Sequence, residues 1–191
     1  VTAAKTVAIF GGSFNPPHVG HVLAVAYALS TAPIDEVLVV PVYRHPFAKA
    51  LADYEHRRAM CELALGWLPG VRVSDVEREL GGESRTLRTL QHLRDTQPSW
   101  RLRLLFGADV LADAAKWYRF DEVVALAPPV VLGRAGFAVE GAPEPVLPEV
   151  SSTEVRNELL GGRLDRLSSK VPARVLAYVH EHGLYRSEVD G

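Results

Sequence analysis

The feature that most constrains this chain is its alternation of short β-branched runs with longer stretches of helical periodicity. Lys5 to Phe10 (KTVAIF) reads as a buried strand stopped by Gly11 and Gly12. A helical pattern then runs from about His18 to Thr31, and Glu36 to Val40 (EVLVV) forms a second strand ended by Pro41. A helix from Tyr54 to Trp67, capped by Asp53, precedes a short strand at Val71 to Val73. Thr86 to Thr96 is helical, Arg101 to Phe106 (RLRLLF) is a strand, and helical stretches continue to about Leu126. Val130 to Gly133 makes a fifth strand, and two helices, about Ser152 to Leu160 and Val171 to His182, follow it. Strands and helices in strict alternation imply βαβ crossovers. The expected class is therefore α/β, with a Rossmann-like, doubly wound, mostly parallel sheet in one domain over residues 1–191. The Pro-rich stretch Gly141 to Pro148 is expected to be a connecting loop. Such sheets bind ligands beyond the carboxyl ends of their strands, here after Phe10, Val40, Phe106 and Gly133.

Composition narrows the function. A chain of 191 residues can withdraw about 70% of its unfolded surface from water. The formal net charge of -2 argues against broad nucleic-acid binding, which needs a basic face. The single cysteine, Cys61, excludes an internal disulfide and reads as a buried packing thiol. The longest apolar runs are far too short to cross a membrane, and no secretion signal is evident, so a cytoplasmic location is expected.

Two segments carry chemistry. In GGSFNPPHVGH, Gly11 and Gly12 let backbone N–H groups approach a phosphate without side-chain obstruction. The loop has neither the G-x-G-x-x-G of dinucleotide-binding folds nor the G-K-[ST] of a P-loop. His18 and His21, three residues apart at a helix start, can present both rings from one face, with Gly20 leaving room for a ligand. Two imidazoles at a helix N-terminus suit phosphate oxygens. An isolated pair of this kind is also compatible with ordinary surface histidines, or with a zinc pair whose third ligand is missing. The second segment, SSTEVR, reads as a capping box, Ser151 with Glu154, with Arg156 projecting from the first turn. A capped helix start still offers N–H groups, and the fork of Arg156 can grip phosphate oxygens or simply face solvent.

Together the two segments resemble the H-x-G-H loop and the later I-S-S-T-x-x-R signature of nucleotidyltransferases. Among these the chain is most similar to bacterial nicotinate-nucleotide adenylyltransferases. LLFGADVL (104–111), KWYRFDEV (116–123), GRAGF (133–137) and VPARVLAYVHEHGLY (171–185) match that family's segments in order. The resemblance implies adenylyl transfer from ATP to nicotinate mononucleotide, giving nicotinate adenine dinucleotide and pyrophosphate in NAD biosynthesis. It implies His18, His21 and Arg156 as catalytic groups, and Gly11, Gly12, Ser13, Phe14, Ser152 and Thr153 around the triphosphate. Gly107 and Asp109 would meet the ATP ribose, Trp117 and Tyr118 would frame the pyridine ring with backbone amides reading its carboxylate, and Thr86 would be a further substrate contact. Lys49 and Arg134 would contact phosphate. Mg²⁺ would arrive with the ATP phosphates, without protein side-chain ligands. The partners implied are the two nucleotides, with no nucleic acid and no membrane, and self-association into a homo-oligomer is compatible with the sequence. Nicotinamide mononucleotide, phosphopantetheine or a non-catalytic ATP sensor stand as alternatives.

Three positions depart from the family's pattern. Asn15 stands where bacterial members usually carry aspartate, Arg85 replaces the tyrosine of an S-Y-T segment, and RHPFAK replaces P-P-H-K. An acceptor phosphate is mostly ionised near neutrality because its second pKa is about 6, so no general base is required. Catalysis is then positioning plus charge neutralisation, with one or both histidines expected to be protonated against phosphate.

Overall fold

The structure, a computed structural model, describes residues 4–45, 51–112, 117–137 and 142–186. Six strands form one wholly parallel sheet in the order β3-β2-β1-β4-β5-β6. They are β1 (Lys5–Gly12), β2 (Glu36–Pro41), β3 (Val71–Val73), β4 (Trp100–Gly107), β5 (Pro129–Arg134) and β6 (Pro145–Leu147). The helices are α1 (Val19–Thr31), α2 (Tyr54–Leu65), α3 (Val76–Leu80), α4 (Thr86–Thr96), α5 (Asp109–Ala112), α6 (Phe120–Leu126), α7 (Ser152–Leu160) and α8 (Ala173–Glu181).

The central runs of β1, β2 and β4 are apolar because both faces of the sheet are covered, while Lys5, Arg101 and Arg103 stand at the starts of β1 and β4 and Arg72 in β3. Along β1, Ala8 and Phe10 face one core, shared with Val25 of α1, Met60 of α2 and Val175 of α8. Val7 and Ile9 face the other, shared with Leu90 of α4 and Val123 of α6. Side chains two residues apart share a face, so a single short run supplies both layers. Cys61 is fully buried in the first core, as expected, and burial pushes its thiol far above the ordinary range.

The chain winds outward from β1 to β3, returns to the centre at β4, and winds outward the other way. β1 and β4 lie side by side, with Ile9 opposite Leu104, so their carboxyl ends open a crevice where the strand order reverses. That crevice holds the site.

Three local expectations are corrected. The stretch Gly141 to Pro148 is not only a connector: Pro145 to Leu147 adds an edge strand to β5 across a register shift at Gly133/Arg134. Proline at the first residue of an edge strand costs no ladder bond, which is why a Pro-rich stretch can still pair. Asp53 does stand at the N-cap of α2, but its side chain makes no capping bond. Ser151 caps α7 as expected, its Oγ accepting from Glu154 N–H at 3.1 Å. Glu154 itself does not close the box; its carboxylate pairs with Lys170. The structure also adds the five-residue α3, which is too short to show a period in the sequence.

Candidate active site

The first loop leaves β1 at Gly12, turns through Phe14 at φ 46°, and enters α1 with His18 in extended N-cap geometry. The Asn15–Pro16 peptide is cis. The two imidazoles stack, with ring centroids 3.8 Å apart. His18 N–H donates to Nδ1 of His21 at 3.0 Å. This bond fixes the tautomer: Nδ1 of His21 is an acceptor, so the neutral ring carries its proton on Nε2 as an available donor.

Both imidazoles are held below the ordinary histidine range, which favours neutral rings, while the expectation of protonation concerns the rings set against a bound phosphate. Burial, then the neighbouring Arg134 guanidinium, brings His18 down to about 4. Burial, His18 and Arg134 together hold His21 well below the ordinary histidine range. Nδ1 of His18 is buried without a hydrogen-bond partner among the described residues, and it faces Gly20. A proton there would sit unpaired in a dry site, so geometry and charge point the same way.

Gly20 lines the recess of the two histidines, and a Cβ at that position would lie 3.0 Å from Val150 Cγ1 and 3.1 Å from the His18 ring. The missing side chain therefore also makes room for the histidine itself. Phe14 is 1% exposed and meets the His21 ring edge-on at 4.9 Å. Its ring supports the imidazole, and it is not among the residues lining either recess of the site.

The histidines line a recess with Gly11, Gly107, Asp109 and Arg134. Arg134 donates to Asp109 Oδ2 at 2.8 Å and to Val150 O, so it stands over the recess with its direction set. A Cβ at Gly107 would come within 2.5 Å of Asp109 Oδ1, so a larger residue there would displace that carboxylate from its place beside Arg134.

The second motif reaches the same loop. Ser152 Oγ donates to Pro16 O at 2.8 Å, and Arg156 donates to Asn15 O at 2.7 Å and to Thr153 Oγ1 at 3.1 Å. These contacts latch the start of α7 onto the first loop. Asn15 is buried, and its Oδ1 accepts from Ala52 N–H at 3.0 Å and from Tyr185 O–H at 2.7 Å. Both bonds need only an acceptor, so an amide serves where relatives carry a carboxylate.

A second recess of about 260 Å³ opens beside the first. Gly11, Gly12 and Ser13 form one end, and Thr86, Trp117 and Tyr118 another. Trp117 also packs on Phe106 and Phe120, at 6.5 and 5.8 Å between ring centroids, so it is at once a core and a cleft residue. The two recesses share Gly11, Phe106 and Val110, and so meet above the ends of β1 and β4. Lys49, expected to contact phosphate, lies outside the described residues.

Two residues that sequence reasoning missed organise this region. Arg57, 2% exposed, donates to Ser13 O at 3.0 Å and Ala52 O at 2.8 Å, holding the first loop from below. Its signal was present: it shares a face of α2 with Met60, Cys61 and Ala64. Glu77 is buried beside the second recess, and burial raises its pKa. Its carboxyl accepts from Tyr43 N–H at 3.1 Å, and Ser84 Oγ accepts from the same N–H at 2.9 Å. This node joins the loop after β2 to the loop before α4. No sequence signal marks it, since α3 has only five residues.

The chain is similar to proteins of known description. The cytidylyltransferase-like family model matches residues 9–158. A protein of Anaeromyxobacter sp. (strain K), described as a probable nicotinate-nucleotide adenylyltransferase, is 47% identical over 97% of this chain and 100% of its own length. A protein of the same description from Thermus thermophilus is 37% identical over 94% of this chain and 99% of its own. Among solved structures, the Plasmodium falciparum nicotinic acid mononucleotide adenylyltransferase complexed with NaAD superposes with a TM-score of 0.83. That match covers 95% of this chain and 97% of the other at 19% identity, and therefore speaks to the fold alone.

Proposed function

The chain belongs to the cytidylyltransferase-like family, among the nicotinate-nucleotide adenylyltransferases, and from that membership we propose that it joins ATP and nicotinate mononucleotide. The product is nicotinate adenine dinucleotide, and pyrophosphate leaves. The observation that carries this reading is the meeting of two recesses at Gly11. One offers imidazoles, backbone N–H groups and a guanidinium, which suit phosphate oxygens. The other mixes apolar walls, among them Trp117 and Tyr118, with the polar groups of Glu77, Arg85 and Thr86, which suits a flat ring bearing a polar substituent. A reaction that condenses two nucleotides through phosphate needs such a junction.

In this reading the 5′-phosphate of the mononucleotide attacks the α-phosphorus of ATP. The bond from that phosphorus to the oxygen bridging to the β-phosphate breaks, and its electrons leave with pyrophosphate. The acceptor is already ionised, so no side chain has to take a proton. The obstacle is repulsion between two anions, and the chain answers it by orientation and by aimed donors. His21 offers Nε2–H as a neutral donor to the α-phosphoryl oxygens, and Arg134 adds charge beside it. Arg156, Ser152 and Thr153 set the loop against the start of α7, and the remaining N–H groups of the Arg156 fork stay near the triphosphate. Gly107 and Asp109 line the histidine recess, which supports their reading as contacts of the ATP ribose.

Magnesium enters with the nucleotide. Asp109, the carboxylate in the histidine recess, is held by Arg134, and among the described residues no cluster of His, Cys, Asp and Glu is fitted to hold a metal. The donor set fits an ion carried by triphosphate oxygens and water, where it offsets charge on the leaving pyrophosphate.

The test follows the phosphorus atoms. With magnesium, nicotinate mononucleotide and ATP labelled in turn at the α and γ positions, α-label should appear in the dinucleotide and γ-label in pyrophosphate. Release of γ-label as free orthophosphate without a dinucleotide would replace this reading with ATP hydrolysis.

A further inference from the structure

Arg85 is a feature that the adenylyl-transfer reading does not absorb. It lines the aromatic recess beside Thr86 and Tyr118, and its guanidinium lies 5.4 Å from the centre of the Tyr118 ring. Among the described residues lining this recess it is the one lysine or arginine. The same recess holds Glu77, buried and already accepting from Tyr43 N–H and Thr89 Oγ–H. A ligand that brings a second carboxylate into this space needs a cation at its own end of the cleft.

The backbone of Arg85 is fixed while its side chain is free to change partner. Arg85 is the N-cap of α4, in extended geometry, and its carbonyl accepts from Thr89 N–H at 3.1 Å. Its side chain makes no capping bond. It pairs with Glu83 at 2.9 Å, and the two side chains are 40% and 61% exposed. A pair so open to water contributes little, so an anion inside the cleft can take the guanidinium from Glu83 at small cost. Place matters as much as charge. The reacting phosphate must lie near Gly11, where the recesses meet, whereas Arg85 stands with Tyr118. A cation there addresses the substituent on the ring rather than the phosphate.

Resting on the mononucleotide reading above, we propose that Arg85 is a specificity-determining residue whose guanidinium selects a pyridine carboxylate over a carboxamide. A charge-assisted, planar pair rewards the acid and leaves the neutral amide with a weaker partner. The arginine thereby supplies in this chain a recognition that the tyrosine of related S-Y-T segments cannot supply by charge.

The experiment compares kcat/KM for nicotinate and nicotinamide mononucleotides in the wild-type chain, Arg85→Gln and Arg85→Lys, with Kd for each mononucleotide from calorimetry. The wild type should prefer the acid. Arg85→Gln should lower the acid-to-amide ratio about tenfold or more, the size of one charge-assisted hydrogen bond. Arg85→Lys should keep a larger share of the ratio than Arg85→Gln, and Kd should follow the same order. An unchanged ratio in Arg85→Gln, or an equal fall for both acceptors, would overturn the proposal, because a purely structural or phosphate-binding arginine affects both alike. If the wild type makes dinucleotide from neither acceptor, the reading of the reaction itself fails, and this assignment falls with it.

Discussion

At the scale of single residues, the histidine pair shows how burial can change the chemistry expected from a motif. The H-x-x-H spacing was legible, and the stacked rings line a recess at the carboxyl ends of β1 and β4. Their protonation was not legible, because it depends on Gly20, Val150 and Arg134, which come from distant parts of the chain. Removing the Nε2–H donor in His21→Ala should lower kcat about 10²-fold or more, the size seen when one transition-state donor is lost. Unchanged turnover in a variant with native circular dichroism would remove His21 from the mechanism. Neutral rings also fix a pH dependence. The profile of kcat/KM for the mononucleotide should rise through about pH 6 as the acceptor phosphate ionises, then stay level to about pH 8.5. A decline centred near pH 7 would mean that an imidazolium is required. The same displacement has a stability counterpart. A histidine held near 4 when folded, against 6.5 when unfolded, contributes stability that is full above 6.5 and is lost as pH falls toward 4.

At the scale of elements, the site depends on how three segments are tied to the loop after β1. The start of α7 is latched to it through Ser152 and Arg156, the C-terminal segment through Tyr185 and Asn15, and α2 through Arg57. The start of α7 was readable from SSTEVR, because a cap and a capping partner have fixed spacing. The Arg57 tie was not read, although an arginine on an otherwise apolar helix face was its trace. The edge strand β6 escaped for a different reason: three residues opening with proline carry no alternation to detect. Arg57→Met keeps the volume and removes the donors to the carbonyls of the half-buried Ser13 and Ala52. A fully buried orphaned group costs about 1–3 kcal/mol, and partial exposure lowers this, so denaturant unfolding should show a loss of about 1–4 kcal/mol. A loss below about 0.5 kcal/mol would show that water replaces the guanidinium.

At the scale of the whole molecule, the order β3-β2-β1-β4-β5-β6 decides where chemistry can occur. The alternation of strand and helix predicted a parallel sheet, and the reversal between β1 and β4 opens the crevice in which both recesses lie. Five of the six strands were visible because β1, β2, β4 and β5 carry apolar runs and the short edge strand β3 keeps valines at both ends. The pairing of the two recesses was not visible, since it rests on Gly11, Phe106 and Val110 being brought together by crossovers of many residues. Among the described residues no helix is long and apolar enough to cross a membrane. The central claim is that this junction joins ATP to a nicotinate mononucleotide. The measurement that addresses it most directly is kcat/KM for pyrophosphate release from ATP and magnesium, with nicotinate mononucleotide, nicotinamide mononucleotide and phosphopantetheine offered separately. The account predicts rapid release with the nicotinate acceptor, one dinucleotide formed per pyrophosphate, and at least a tenfold preference over the amide, in line with the charge-assisted contact assigned to Arg85. Faster release with phosphopantetheine, or none with any acceptor while ATP binds, would contradict it.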